Sequence, residues 1–109
     1  MPDTVQEVFD GIQANINEDP DKAKANVNGI YQFDVTGDGG GTWVVDLKNE
    51  GKVSSGPSDA TECTITVAAQ DFLDINNGKL NGQVAFMSGK LKIKGDMSKA
   101  MKLQQVLKG

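Results

Sequence analysis

Val5, Val8, Phe9, Ile12 and Ile16 recur at the spacing of a single helical face, which predicts an amphipathic helix. Thr4-Val5-Gln6-Glu7 opens it as a capping box, with the Thr4 hydroxyl placed to accept from the Glu7 amide. Asp19-Pro20 reads as an N-cap followed by a first-turn proline, starting a weakly amphipathic helix to about Asn26. From Ile30 the period falls to two. Tyr31, Phe33 and Val35 alternate with Gln32 and Asp34, and Trp43, Val45 and Leu47 alternate with Val44 and Asp46. The glycine-rich run from Thr36 to Gly41 joins these two strands as a hairpin loop. A short strand over 52–55 follows, then a loop at Gly56-Pro57-Ser58-Asp59, and then a strand on which Cys63, Ile65 and Val67 share a face.

The remaining third of the chain mixes the two periods. A helix is predicted from Gln70 to Asn77, stopped by Gly78, and a short helix from Asn81-Gly82 to Met87. Leu91 and Ile93 alternate with Lys90, Lys92 and Lys94 in a fifth strand, and Asp96 is placed to cap a last helix, Met97 to Leu107. Strands apolar on one side and polar on the other call for helices over one face only. The fold class expected is α+β, as one domain over 1–109.

Composition sharpens this mainly by what is missing. The 109 residues contain no His and no Arg, so all 11 basic side chains are Lys. Histidine-based triads, histidine zinc sites and arginine forks are therefore excluded. A single cysteine allows neither an internal disulfide nor a cysteine-rich metal cluster. No apolar run approaches the ~18 residues of a membrane span. The first residues carry no basic segment leading into an apolar stretch, so no secretory signal is expected.

Several partial motifs fail on spacing. Asp34, Thr36, Asp38 and Gly39 imitate a calcium loop, but Val45 stands where the bidentate Glu belongs. The glycine-lysine pairs at 51–52, 78–79 and 89–90 do not follow the P-loop pattern. Asp71 and Asp74 read as a solvated helix face, and no nucleophile, base and orienting group can be assembled. We therefore expect no enzyme activity, no metal and no cofactor. Nucleic acid is not an expected partner either, because the aromatic residues are not interleaved with lysines.

Two features survive. Residues 1–78 hold 4 Lys against 14 acids, whereas residues 79–109 hold 7 Lys against Asp96 alone. Lysines on a solvated face, or a surface for anionic head groups built on Lys90, Lys92 and Lys94, both fit that asymmetry. Phe86, Met87, Met97, Met101, Leu103 and Leu107 also gather soft apolar side chains near the C-terminus. They either fill the core or line a pocket for varied apolar guests.

Blocks of the chain resemble the sterol carrier protein 2 domain family. They are Thr42 to Asn49; Cys63-Thr64-Ile65-Thr66 with Asp71-Phe72 and Gly78-Lys79-Leu80; and Gln83 with the run Ala85 to Met97 and Ala100-Met101-Lys102-Leu103. They come in the family's order and span about residues 4 to 107. The resemblance implies a five-stranded, mostly antiparallel sheet with helices over one face and an internal apolar tunnel. It implies non-enzymatic binding and transfer of fatty acids, fatty acyl-CoA, sterols and phospholipids. A monomer is expected, with transient contact between the lysine-rich C-terminal third and anionic membranes. Phe9, Ile12, Ile16, Trp43, Ile75, Phe86, Met87, Met101, Leu103 and Leu107 are the expected lipid-lining side chains, with Gln83 reaching the head group. Peroxisomal location is the family's usual one, yet Leu107-Lys108-Gly109 is not the peroxisomal tripeptide, which leaves the cytoplasm as the alternative. A scaffold domain with a filled core, excised from a larger lipid-metabolising protein, is the competing reading.

Overall fold

The computed structural model describes residues 3–107, with side chains as far as residue 102. Helix α1, Val5–Glu18, starts at Thr4, whose side chain accepts from the Glu7 amide as the capping box requires. Its five predicted apolar residues are all buried. Helix α2, Pro20–Val27, is capped by Asp19, which accepts from the Lys22 amide. Strands β1 (Ile30–Thr36), β2 (Gly41–Asp46) and β3 (Lys52–Ser55) form a meander, and β4 is Cys63–Ala68. Helices α3 (Ala69–Asn76) and α4 (Gly82–Met87) precede β5 (Leu91–Gly95) and α5 (Met97–Leu107).

The sheet order is β3-β2-β1-β4-β5. Three of its pairings are antiparallel, and β1 with β4 is parallel. The sheet is thus mostly antiparallel, as expected, with one parallel seam at its centre. That seam needs a crossover, and residues 56–62 supply it over the polar face. There Gln32 Oε1 accepts from the Ser58 amide at 3.3 Å and from the Thr61 hydroxyl at 3.3 Å. Glu62 N–H donates to Ile30 O at 2.8 Å and starts the parallel ladder.

Alternation decides what each face carries. Tyr31, Phe33, Val35, Trp43, Val45, Cys63, Ile65 and Val67 are buried on the helix-covered side. Register aligns Trp43, Phe33, Ile65 and Ile93 in one row across four neighbouring strands. Lys92 and Lys94 pair with Thr66 and Thr64 on the opposite, polar face. At the end of β5, Gly95 has φ +107° and its backbone lies against Glu62 O, a spot no side chain can share. This close approach lets the chain leave the sheet at once and return as α5.

The sheet's two edges are protected differently. On β3, Gln13 of α1 donates from Nε2 to Gly51 O at 3.2 Å and accepts at Oε1 from the Val53 amide at 2.6 Å. A helix side chain therefore occupies backbone groups that an edge strand leaves open. On β5, exposed Lys92 and Lys94 discourage pairing with another strand.

Candidate functional site

Helix α1 lies over β3 and packs against α3, leaving the β4–β5 side of the sheet to shorter cover. Phe9 stacks on Trp43 with ring centroids 4.6 Å apart and meets Phe33 edge-on at 5.3 Å. Phe72 of α3 stacks on the other side of Phe9 at 5.4 Å and tilts against Phe33 at 5.7 Å. Beyond Phe33 and Phe72 the packing stops, and a cavity of about 670 Å³ opens. Its floor is Phe33, Ile65, Leu91 and Ile93 from the sheet. Phe72, Ile75 and Asn76 of α3 form one wall, and Met97, Ala100 and Met101 of α5 form the other. Leu80, Asn81, Gln83 and Phe86 close the end contributed by α4 and the loop before it.

Three of these side chains stand at the mouth. Phe86 is 40% exposed, Met97 43% and Met101 60%. Among the described residues the lining holds no charged side chain; its polar groups are the amides of Asn76, Asn81 and Gln83. Two of those are committed locally. Asn76 Nδ2 donates to Phe72 O at 2.8 Å, and Asn81 Oδ1 caps α4 by accepting from the Gln83 and Val84 amides at 2.8 and 3.2 Å. Among the described residues the Gln83 side-chain amide makes no hydrogen bond. The arrangement suits an apolar chain inside and one polar group at the rim.

Helix α5 is anchored at its start. Asp96 Oδ1 accepts from the Ser98 and Lys99 amides at 2.9 and 3.2 Å. The Tyr31 hydroxyl donates to Lys99 O at 2.8 Å, and Lys99 Nζ donates to Asn28 O at 2.7 Å. Glu62 lies between Lys48, at 3.0 Å, and Lys99, at 3.3 Å. The Lys48 ammonium above all, with Lys99 and the Ile30 amide, holds the Glu62 carboxyl below its usual range against a smaller opposing effect of burial. Burial pushes the Tyr31 hydroxyl up, and nearby Cys63, Glu62 and Asp96 add to the shift. Burial also raises the Cys63 thiol, helped by Asp96, so it is packed as a small hydrophobe rather than poised as a nucleophile.

Of the side chains singled out from sequence, Ile75, Gln83, Phe86 and Met101 meet at the cavity. Phe9, Ile12, Ile16 and Trp43 do not line it; they belong to the core under α1, with Phe9 one ring behind the wall. Met87 also lies outside the lining and faces solvent. Leu103 and Leu107 lie outside the described side chains. Lys90 precedes β5, while Lys92 and Lys94 sit on the sheet's polar face, away from the cavity floor. The lipid-lining set drawn from sequence left out Phe33, Ile65, Phe72, Leu91 and Ile93, while Met97 entered only among the side chains that either fill the core or line a pocket. Strand alternation already put four of these on the apolar face, but only the register brings Phe33, Ile65 and Ile93 side by side.

The same shape and sequence recur in known proteins. The crystal structure of Sterol Carrier Protein 2 Like 2 from Aedes aegypti superposes with a TM-score of 0.81 at 30% identity, covering 94% of each chain. The solution structure of the palmitated form gives 0.79 at 30% identity, over 97% of this chain and 96% of that one. Hydroxysteroid dehydrogenase-like protein 2 of Xenopus tropicalis is 44% identical over 105 residues, 94% of this chain but 24% of its own length. Human sterol carrier protein 2 is 44% identical over 103 residues, 91% of this chain and 19% of its own. The chain thus spans a quarter or less of these curated relatives. The sequence model of the SCP-2 sterol transfer family matches residues 9–108, and with a cavity floored by Phe33, Ile65 and Ile93 the chain belongs to that family.

Proposed function

We propose that the cavity holds the hydrocarbon part of a lipid, and that the chain carries such lipids without chemically changing them. The observation that carries this reading is the apolar cavity of about 670 Å³, uncharged among the described residues, whose mouth is ringed by Phe86, Met97 and Met101. Adaptable methionines and one phenylalanine at the rim suit guests of varied shape. The palmitated Aedes aegypti relative supports a fatty acid as one such guest. Burying some twelve methylenes at ~0.8 kcal/mol each gives about 10 kcal/mol before ordering costs. Those costs leave room for affinity around micromolar or better.

In this reading the expected tunnel is the cavity with its guest in place, and Gln83 offers its uncommitted amide to a carboxylate or ester. Fatty acids, fatty acyl-CoA, sterols and phospholipids all belong to the same test. The lysines of the C-terminal third draw the chain toward anionic head groups by long-range attraction. A second reading rests on length. Because the relatives are several times longer, the chain serves as the lipid-holding part of a larger protein whose other parts act on the guest.

Displacement of a fluorescent fatty acid by palmitate, palmitoyl-CoA, cholesterol and phosphatidylcholine tests the reading. Saturable one-to-one binding with displacement by palmitate is expected. A folded chain that takes up none of the four would sink it.

A further inference from the structure

Helix α4 is six residues long, yet it presents apolar side chains in two directions. Ala85 is buried and Phe86 lines the cavity. Val84 and Met87, three residues apart and so on one helical side, stand 56% and 84% exposed outside the lining. Neither packing nor the cavity accounts for this ridge, and an exposed apolar patch beside a binding site points to a docking surface. The sequence on either side of it is basic. No acid occurs between Asp74 and Asp96, and exposed Lys79 and Lys90 flank the helix on either side in sequence.

We propose that the Val84–Met87 ridge is a wedge that enters the interface of an anionic lipid bilayer and seats the cavity mouth on it. Val84 and Met87 go into the acyl boundary while Lys79 and Lys90 remain at the phosphates. Phe86, on the same helix, then faces the bilayer at the mouth, so a guest crosses from membrane to cavity without passing through water. The inference rests on the lipid-carrier reading and adds the face that touches the membrane. Lys92 and Lys94 lie on the sheet's polar face, so they contribute attraction from a distance rather than the contact itself. A second copy of this chain fits the ridge poorly. A two-fold contact would set Lys79 and Lys90 of each copy against the same lysines of the other, over one six-residue helix.

Sedimentation with vesicles of phosphatidylcholine alone, and of equal parts phosphatidylcholine and phosphatidylserine, at low and high salt tests this. The Val84→Ser/Met87→Ser variant should bind the anionic vesicles about tenfold less at either salt concentration. Lys92→Gln/Lys94→Gln should weaken binding only at low salt. In Met87→Trp, indole emission should shift to the blue on adding anionic vesicles and be quenched by lipids brominated high on the acyl chain. Buried Trp43 stays outside the quencher's reach. Equal vesicle binding by wild type and the serine variant, or unchanged emission in Met87→Trp, overturns the inference. So does self-association of the wild type that the serine variant abolishes. Fatty-acid displacement in vesicle-free solution should be the same for wild type and the serine variant. Were the wild type to bind no fatty acid while the Met87→Trp indole still entered the bilayer, the carrier reading would fail and the docking face would stand.

Discussion

One row of side chains, Trp43, Phe33, Ile65 and Ile93, crosses the sheet and meets two different fates. On the β2 side, Trp43 is covered by Phe9, and Ile12, Ile16, Val45 and Leu47 fill the space around it. On the β5 side, Ile93 is only half-buried and floors a cavity. The strands follow the same alternation on both sides, so the sheet is not the cause. The difference comes from the helices. Helix α1 is 14 residues long and delivers five buried side chains, whereas α4 is six residues long and buries only Ala85. The closer packing lies on one half of the sheet, and the cavity on the other.

Deleting a packed side chain should break the contrast most severely. Phe9→Ala removes the ring that stacks between Trp43 and Phe72, and should cost about 3–5 kcal/mol in denaturant unfolding. Filling the open half should do the reverse. Ile93→Trp should reduce fatty-acid affinity about tenfold or more, some 1.4 kcal/mol, while stability stays within about 1 kcal/mol of wild type. A comparable loss of stability in Ile93→Trp would mean that this side of the sheet is packed after all.

Smaller effects sharpen the boundary between the halves. Glu62→Gln weakens the link between Lys48, Lys99 and the start of the parallel ladder, and should cost about 1 kcal/mol at neutral pH. Because the folded-state pKa of Glu62 lies below the ordinary 4.5, the charge contributes fully above that value and is lost as pH falls through the depressed one. The gap between wild type and Glu62→Gln should therefore close in unfolding curves taken progressively below pH 4.5. Smallest of all, Lys92→Gln/Lys94→Gln should change stability by under about 0.5 kcal/mol and leave neutral-lipid affinity unaltered.

The elements were legible because each obeys a single period. The stripe from Val5 to Ile16 admits one buried face, and the caps at Thr4, Asp19, Asn81 and Asp96 mark their helices directly. The position of the cavity was not legible in the same way. The parallel seam of β1 with β4 is fixed by a crossover held at Gln32, a contact 26 residues distant in sequence. Without that seam nothing separates Phe9 and Ile12 from Phe86 and Met101, so one apolar list merged two regions. Met87 was not separable by the same logic, since successive helix residues can both turn inward, as Val8 and Phe9 do on α1.

The parallel seam also has a kinetic consequence. The β1–β2–β3 meander forms from near neighbours, whereas β4 and β5 are separated by two helices. Joining β4 to the meander requires Tyr31 to find Cys63, as far along the chain as Cys63 lies from its β5 partner Gly95. The ordering of that long loop comes before any ladder bond offsets it. The closing contact is more distant still, since the Tyr31 hydroxyl reaches Lys99 across 68 residues. The half that holds the guest is therefore built from the most distant pairings, and refolding is expected to complete it last. In a nascent chain the binding wall is complete only when α5 arrives.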